Sequence, residues 1–144
     1  MNFNNISLLL LRLAISYIWL TAGMSKLLNA EFINNFPHTL TEFAKNSPYN
    51  FYSNFLNQSV IPHAYIFAQL TIWGEILTGI AFLFGFPMAI AVFAGILMNL
   101  NYYFVAHAAP SQFLNILMVF SQLAAYSTGA GSIWGIEAKF NKKL

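Results

Sequence analysis

Apolar residues run nearly unbroken through four stretches of the chain, at about 6–28, 65–86, 88–107 and 112–128. A helix needs roughly 20 such residues to cross the hydrocarbon of a bilayer, so the first three stretches are long enough and the fourth is at the short end. Backbone groups in lipid must be satisfied within the element itself, so runs of this length are expected as helices. The pattern therefore predicts an all-α fold, an integral membrane four-helix bundle forming a single domain over 1–144, with a connection at 29–62 and a tail at 129–144.

The segments between the runs carry their own signals. Ser47-Pro48 is a good helix start, and Phe51, Phe55 and Leu56 then recur at helical spacing, which predicts a short amphipathic helix on the membrane surface. Phe32, Phe36, Leu40 and Phe43 form a similar stripe that Pro37 interrupts, so a broken turn of helix is expected there. Pro87 leaves room only for a tight turn between the second and third runs, which must then form an antiparallel hairpin. Ser111 is expected to cap the last run. In the tail, Ile133, Ile136, Phe140 and Leu144 share one helical face away from Lys139, Lys142 and Lys143, the pattern of a helix lying in the headgroup layer. Small-residue steps at Ala91 with Gly95 and at Gly74 with Thr78 would allow close helix approach.

Composition agrees with the bilayer: 58% of residues are hydrophobic, 17% aromatic and only 7% charged, too little polar character to clothe a soluble domain of 144 residues. The first run has no basic leader, contains Arg12 and lacks a small-x-small cleavage pattern, so it is expected to be retained rather than removed as a signal peptide. An even number of crossings puts both termini on one side, and the tail lysines mark that side as cytoplasmic, with the slightly acidic 29–62 connection outside the cell membrane. A net charge of +2 is an orientation signal and does not suggest nucleic acid. With no cysteine, the chain ligates no iron-sulfur cluster and performs no thiol-disulfide exchange.

Against this background Glu75 is conspicuous. A carboxylate in the middle of an apolar run costs about 2.5–3.5 kcal/mol on insertion scales, so it is expected to face the protein interior with a partner. If the runs share their midpoints, Glu75, Asn99 and Gln122 lie at one depth, Asn101 and Tyr102 lie a turn further out, and Arg12 can reach Glu75 as its counter-ion. The amides read equally well as ordinary helix-to-helix hydrogen bonders, each contributing about 0.6 kcal/mol. Lys26, His38, His63 and His107 gather at the outer ends. Their spacing matches no metal motif, and they read as solvated interfacial groups, with a small anion beside Lys26 as the sharper alternative.

These residues, taken together, resemble the DoxX family of small membrane proteins, and its DoxD-like branch in particular. The matching stretches are Arg12 through Gly23 to Lys26; Val60-Ile61-Pro62-His63; Gly74-Glu75 with Gly79 and Gly85; Met98-Asn99-Leu100-Asn101-Tyr102; and the tail Trp134-Gly135-Ile136-Glu137. The Ser- and Asn-rich connection and Ala108-Ala109-Pro110 depart from the pattern. The resemblance implies a membrane subunit of a thiosulfate:quinone oxidoreductase-like enzyme, or a member of a membrane oxidative-stress complex. An apolar, aromatic-rich bundle with few polar groups suits a quinone. In that reading Glu75 and Arg12 are the catalytic pair, with Glu75 carrying protons and Arg12 tuning it. Asn99, Asn101 or Tyr102 hold the carbonyl oxygens, and Lys26 receives an anionic reductant. The alternative is a non-catalytic anchor for a partner enzyme or a second copy; a solute carrier is disfavoured by the lack of inverted repeats.

Overall fold

The computed structural model describes residues 3–106 and 108–141, and it is all-helical, with no strand among the described residues. Helix α1 spans Phe3–Leu28, α2 Phe32–Asn46 and α3 Asn50–Phe55. A π-helical turn at Leu56–Val60 and a 3-10 turn at Ile61–His63 then lead into α4, Ala64–Phe84. Helices α5 (Met88–Val105) and α6 (Ala109–Ser127) follow, then a 3-10 turn at Ala130–Ser132 and the short α7, Glu137–Asn141. Among the described residues three segments are long and apolar enough to cross a membrane: Phe3–Leu28, the continuous Asn50–Phe84 and Met88–Val105. Their outward side chains fit lipid: Leu10, Tyr17, Leu70, Leu77, Ile90 and Phe93 are each at least 60% exposed, more apolar surface than a soluble monomer carries.

Helix α1 packs most extensively on α4, and α5 on α6, while α4 with α5 and α1 with α6 close the arrangement. The α1–α4 crossing is tight because two glycines face it. A Cβ on Gly79 would stand 2.9 Å from the Leu20 backbone nitrogen, and one on Gly23 2.9 Å from that of Ile76. Ser16 Oγ uses the proximity to donate to Gly79 O at 2.7 Å. These are the small residues that bring helices closest, rather than a Gly74/Thr78 step, since Gly74 abuts only the flexible Met98 side chain. Gly95 does serve the α5–α6 contact, where the Gln122 side chain occupies the space a Cβ would need.

The facing pairs Leu20–Gly79 and Gly23–Ile76 also fix the register. Residue 25 of α1 lies level with the middle of α4, so α1 is shifted by about nine residues, roughly 14 Å at 1.5 Å per residue. The space beyond the end of α1 is roofed by α2 and α3: α2 packs on α4 and α3 on α2, and Phe36, Leu40, Ala44 and Tyr52, with Leu56 and Val60 of the π-helical turn, form one buried cluster with Ala64 and Ala68 of α4.

Local expectations fare unevenly. Pro37 does not break α2: it sits early in the helix, where a missing amide costs one bond to Ile33, and the buried stripe of Phe36, Leu40 and Ala44 compensates. Helix α3 buries Tyr52 and the turn after it Leu56, leaving Phe51 and Phe55 exposed, and the segment continues into α4 instead of lying apart. Ser47 caps no helix; its hydroxyl donates to Phe104 O at 2.8 Å and accepts from Tyr49 N. Helix α6 starts at Ala109, with Pro110 presetting its first turn, ahead of the expected cap at Ser111. The tail is not one helix. Trp134 takes a positive φ of 53°, Ile136 N bonds Phe84 O at 2.8 Å, and among the described residues after Ser132 only Glu137–Asn141 is helical. Lys142, Lys143 and Leu144 lie outside the described residues, as does His107.

Candidate functional site

Glu75 is 1% exposed near the middle of α4, and its partner is Lys26. The ammonium donates to Glu75 Oε1 at 2.9 Å and to Oε2 at 2.8 Å, and its third contact is Ala22 O at 3.3 Å. Tyr102 completes the cluster by donating its hydroxyl hydrogen to Glu75 Oε1 at 2.5 Å, and the Lys26 ammonium lies 6.0 Å from the centre of its ring. The ammonium and the phenol thus both donate to the carboxylate, and hydrogen bonds with an ionic partner are the strong kind. The register shift explains the pairing: it carries the last turn of α1 to mid-α4.

The same shift takes Arg12 away. Arg12 lies 14 residues before Lys26, roughly 21 Å along the α1 axis, level with the turn that ends α4. Its Nη1 donates to Ala130 O at 2.8 Å and Ile133 O at 2.9 Å, with Gly131 O at 3.5 Å. Gly85 is required beside it. Its φ is +66°, and a Cβ there would stand 2.6 Å from both Arg12 Nη1 and Gly131 O. Arg12 Nε has no hydrogen-bond partner among the described residues, and Glu137 acts on the guanidinium electrostatically. The expected Arg12–Glu75 pair is thus replaced by two separate sites: Lys26 with Glu75, and Arg12 with the tail carbonyls.

Two cavities meet at the Lys26–Glu75–Tyr102 cluster. The larger, of about 500 Å³, lies beneath α2 and α3. Phe36, Phe43, Phe67 and Leu40 form much of its wall, and Lys26, Tyr102 and Asn101 form its polar end. Leu70 and Leu97 line it while also being 60% and 46% exposed, so its mouth lies between α4 and α5 on the apolar exterior. Asn101 donates to Leu97 O at 2.7 Å and accepts from Tyr52 at 2.6 Å, which ties α3 to α5. The sequence offered no sign that Tyr52 belongs to the site. The smaller cavity, of about 350 Å³, lies between α1, α5 and α6 and is lined by Trp19, Asn99, Asn115 and Met118 besides the cluster itself.

The remaining polar residues divide accordingly. Asn99 is buried at the second cavity and donates to Gly95 O at 2.9 Å. Gln122, fully buried, accepts from Trp19 Nε1 at 3.3 Å and donates to Met118 O at 3.0 Å, acting as a bond between α1 and α6. His38 and His63 are exposed and not part of the cluster; His63 Nδ1 is 3.0 Å from Ser59 O.

No match was found among curated proteins or among solved structures. The family model described as DoxX matches residues 7–108, which takes in most of α1, all of α2 through α5 and all three members of the buried cluster. With most of its length covered by that match, this chain belongs to the DoxX family.

Proposed function

We propose that the chain is the membrane subunit of an oxidoreductase and that its larger cavity receives the ring of a quinone. The observation that carries this reading is the form of that cavity: an apolar, aromatic-walled space of about 500 Å³, opening toward lipid and ending on Lys26, Tyr102 and Asn101. Such a slot excludes water from an apolar ring and offers a few donors at one end, which is how small-molecule sites achieve orientation. A bound quinone supplies the capacity to take up two electrons and two protons. The electrons come from a redox group on a partner enzyme, since this chain has no thiol to pass them on.

In this reading Asn101 has one Nδ2 hydrogen left after bonding Leu97, and it can donate to a carbonyl oxygen in the cavity. Glu75 holds the proton to be delivered. When its carboxyl is protonated, it donates to the Tyr102 oxygen, and the Tyr102 hydrogen is freed to turn toward the cavity. Lys26 stands beside the carboxylate as its counter-ion, the place the sequence alone had given to Arg12. Helix α6 is read as a fourth span, with both termini on the cytoplasmic face of the cell membrane and Lys139 among the basic residues there.

Protein purified from native membrane in mild detergent should carry quinone, recovered by solvent extraction and identified by absorbance. Phe67→Ala with Phe43→Ala, which strips the aromatic wall, should lose most of it. A preparation that never carries quinone would leave the chain an anchor for its partner enzyme.

A further inference from the structure

The smaller cavity has no part in holding a ligand ring, yet it is the one that Glu75 itself lines. Glu75 Oε1 accepts from both Lys26 and Tyr102, whereas Oε2 accepts only from Lys26 among the described residues, so Oε2 keeps acceptor capacity. Asn99, 4% exposed and lining the same cavity, donates to Gly95 O while its Oδ1 takes no hydrogen bond among the described residues. Asn115 lines it from α6, its Nδ2 committed to Ser111 O. The Asn99 oxygen is not among the sealed, partnerless atoms of the interior, so it reaches the cavity surface, where water can bond it. A space of about 350 Å³ with Oδ1 of Asn99, Oε2 of Glu75 and the Asn115 amide on its walls meets both conditions for holding water, room and several polar partners.

We infer that this second cavity, whose lining also includes the exposed Ile18 and Leu114, is a water-filled vestibule that keeps Glu75 in contact with aqueous protons, sharing Lys26 and Tyr102 with the apolar cavity. Lys26 and Tyr102 are the titratable groups that face the carboxylate, from α1 and α5; α6 contributes the neutral Asn115. Lipid-soluble ligand and proton then approach one carboxylate by separate routes. Only the proton role rests on the function proposed above; the hydration of the cavity does not.

The chain has no cysteine, so single cysteines report on their own surroundings. Met118 lines the vestibule, whereas its neighbour Leu117 is 61% exposed on the apolar exterior at almost the same depth. In proteoliposomes, Met118→Cys should react with a charged trimethylammonium methanethiosulfonate at least about tenfold faster than Leu117→Cys, because the thiolate attacks the reagent's sulfur, expelling methanesulfinate, and hydrocarbon suppresses thiolate formation. Asn99→Cys against Leu97→Cys repeats the comparison on α5. Equal rates at Met118→Cys and Leu117→Cys, with both thiols fully reactive after denaturation, would overturn the vestibule. No quinone enters this measurement. A dry cavity therefore sinks the water route and leaves the quinone reading standing, and a quinone-free preparation does the reverse.

Discussion

Removing the Lys26 ammonium is the sharpest test of the register on which the site depends. In Lys26→Met the apolar stem is kept, but Glu75, 1% exposed, is left with Tyr102 alone. Breaking a buried ion pair by deleting one partner costs about 3–5 kcal/mol. The Lys26 side chain is 23% exposed, which places the loss at the lower end, about 3 kcal/mol. Glu75→Gln leaves a lysine that can reach toward solvent and should cost less, about 1–2 kcal/mol. The double variant should recover about 2 kcal/mol relative to the sum of the two, since residues in direct contact couple in this way. Arg12→Met combined with Glu75→Gln should be additive to within about 0.5 kcal/mol, because the two sites share no partner. Unfolding by SDS titration in mixed micelles, followed by tryptophan fluorescence, measures all of these. A large coupling for Arg12 with Glu75 and none for Lys26 would refute the axial shift of α1 and everything built on it.

Two further outcomes follow from the packing. Gly79→Val should destabilise by about 1–3 kcal/mol in the same titration, since its Cβ meets the unyielding backbone of Leu20, while Gly74→Ala, facing the mobile Met98 thioether, should cost far less. Equal losses at the two glycines would contradict the close α1–α4 approach. Arg12→Met should speed tryptic cleavage after the exposed Lys139 by about tenfold or more, because hydrogen bonds from a charged group contribute about 1.5–3 kcal/mol each and the tail carbonyls would lose theirs. An unchanged cleavage rate would mean that the guanidinium does not hold the tail.

Hydropathy alone located the apolar helices to within a few residues, because a run that must satisfy its backbone in lipid has few other solutions. The rarity of a carboxylate in such a run also singled out Glu75 correctly as a buried group with a basic partner. The choice of partner failed for a specific reason: periodicity along a helix carries no information on its displacement along a neighbour. Centring every run at one depth put Arg12 within reach of Glu75 and sent Lys26 to the surface. The displacement is written in Gly23 and Gly79, which can be seen to face Ile76 and Leu20 only once the helices are docked. Pro37 and the tail misled for the opposite reason. Local pattern was followed where tertiary contacts decide, with α4 covering the flaw in α2 and the α4–α5 turn pulling residues 133–136 out of helix. Tyr52 had no signature at all, because its role depends on an amide 49 positions away.

The π-helical turn at Leu56–Val60 has a consequence for how much length the chain tolerates there. Such a turn holds one residue more than an α-helix would, so a single deletion within it would let residues 50–60 wind as regular α-helix up to the 3-10 turn at Ile61–His63. Each residue of an α-helix turns through about 100°, and the aromatic face of α3 would swing by that amount about the axis, carrying the Tyr52 phenol off Asn101 and opening the roof over the larger cavity. Natural or engineered chains one residue shorter at this place would keep every apolar run intact and still lose the enclosure.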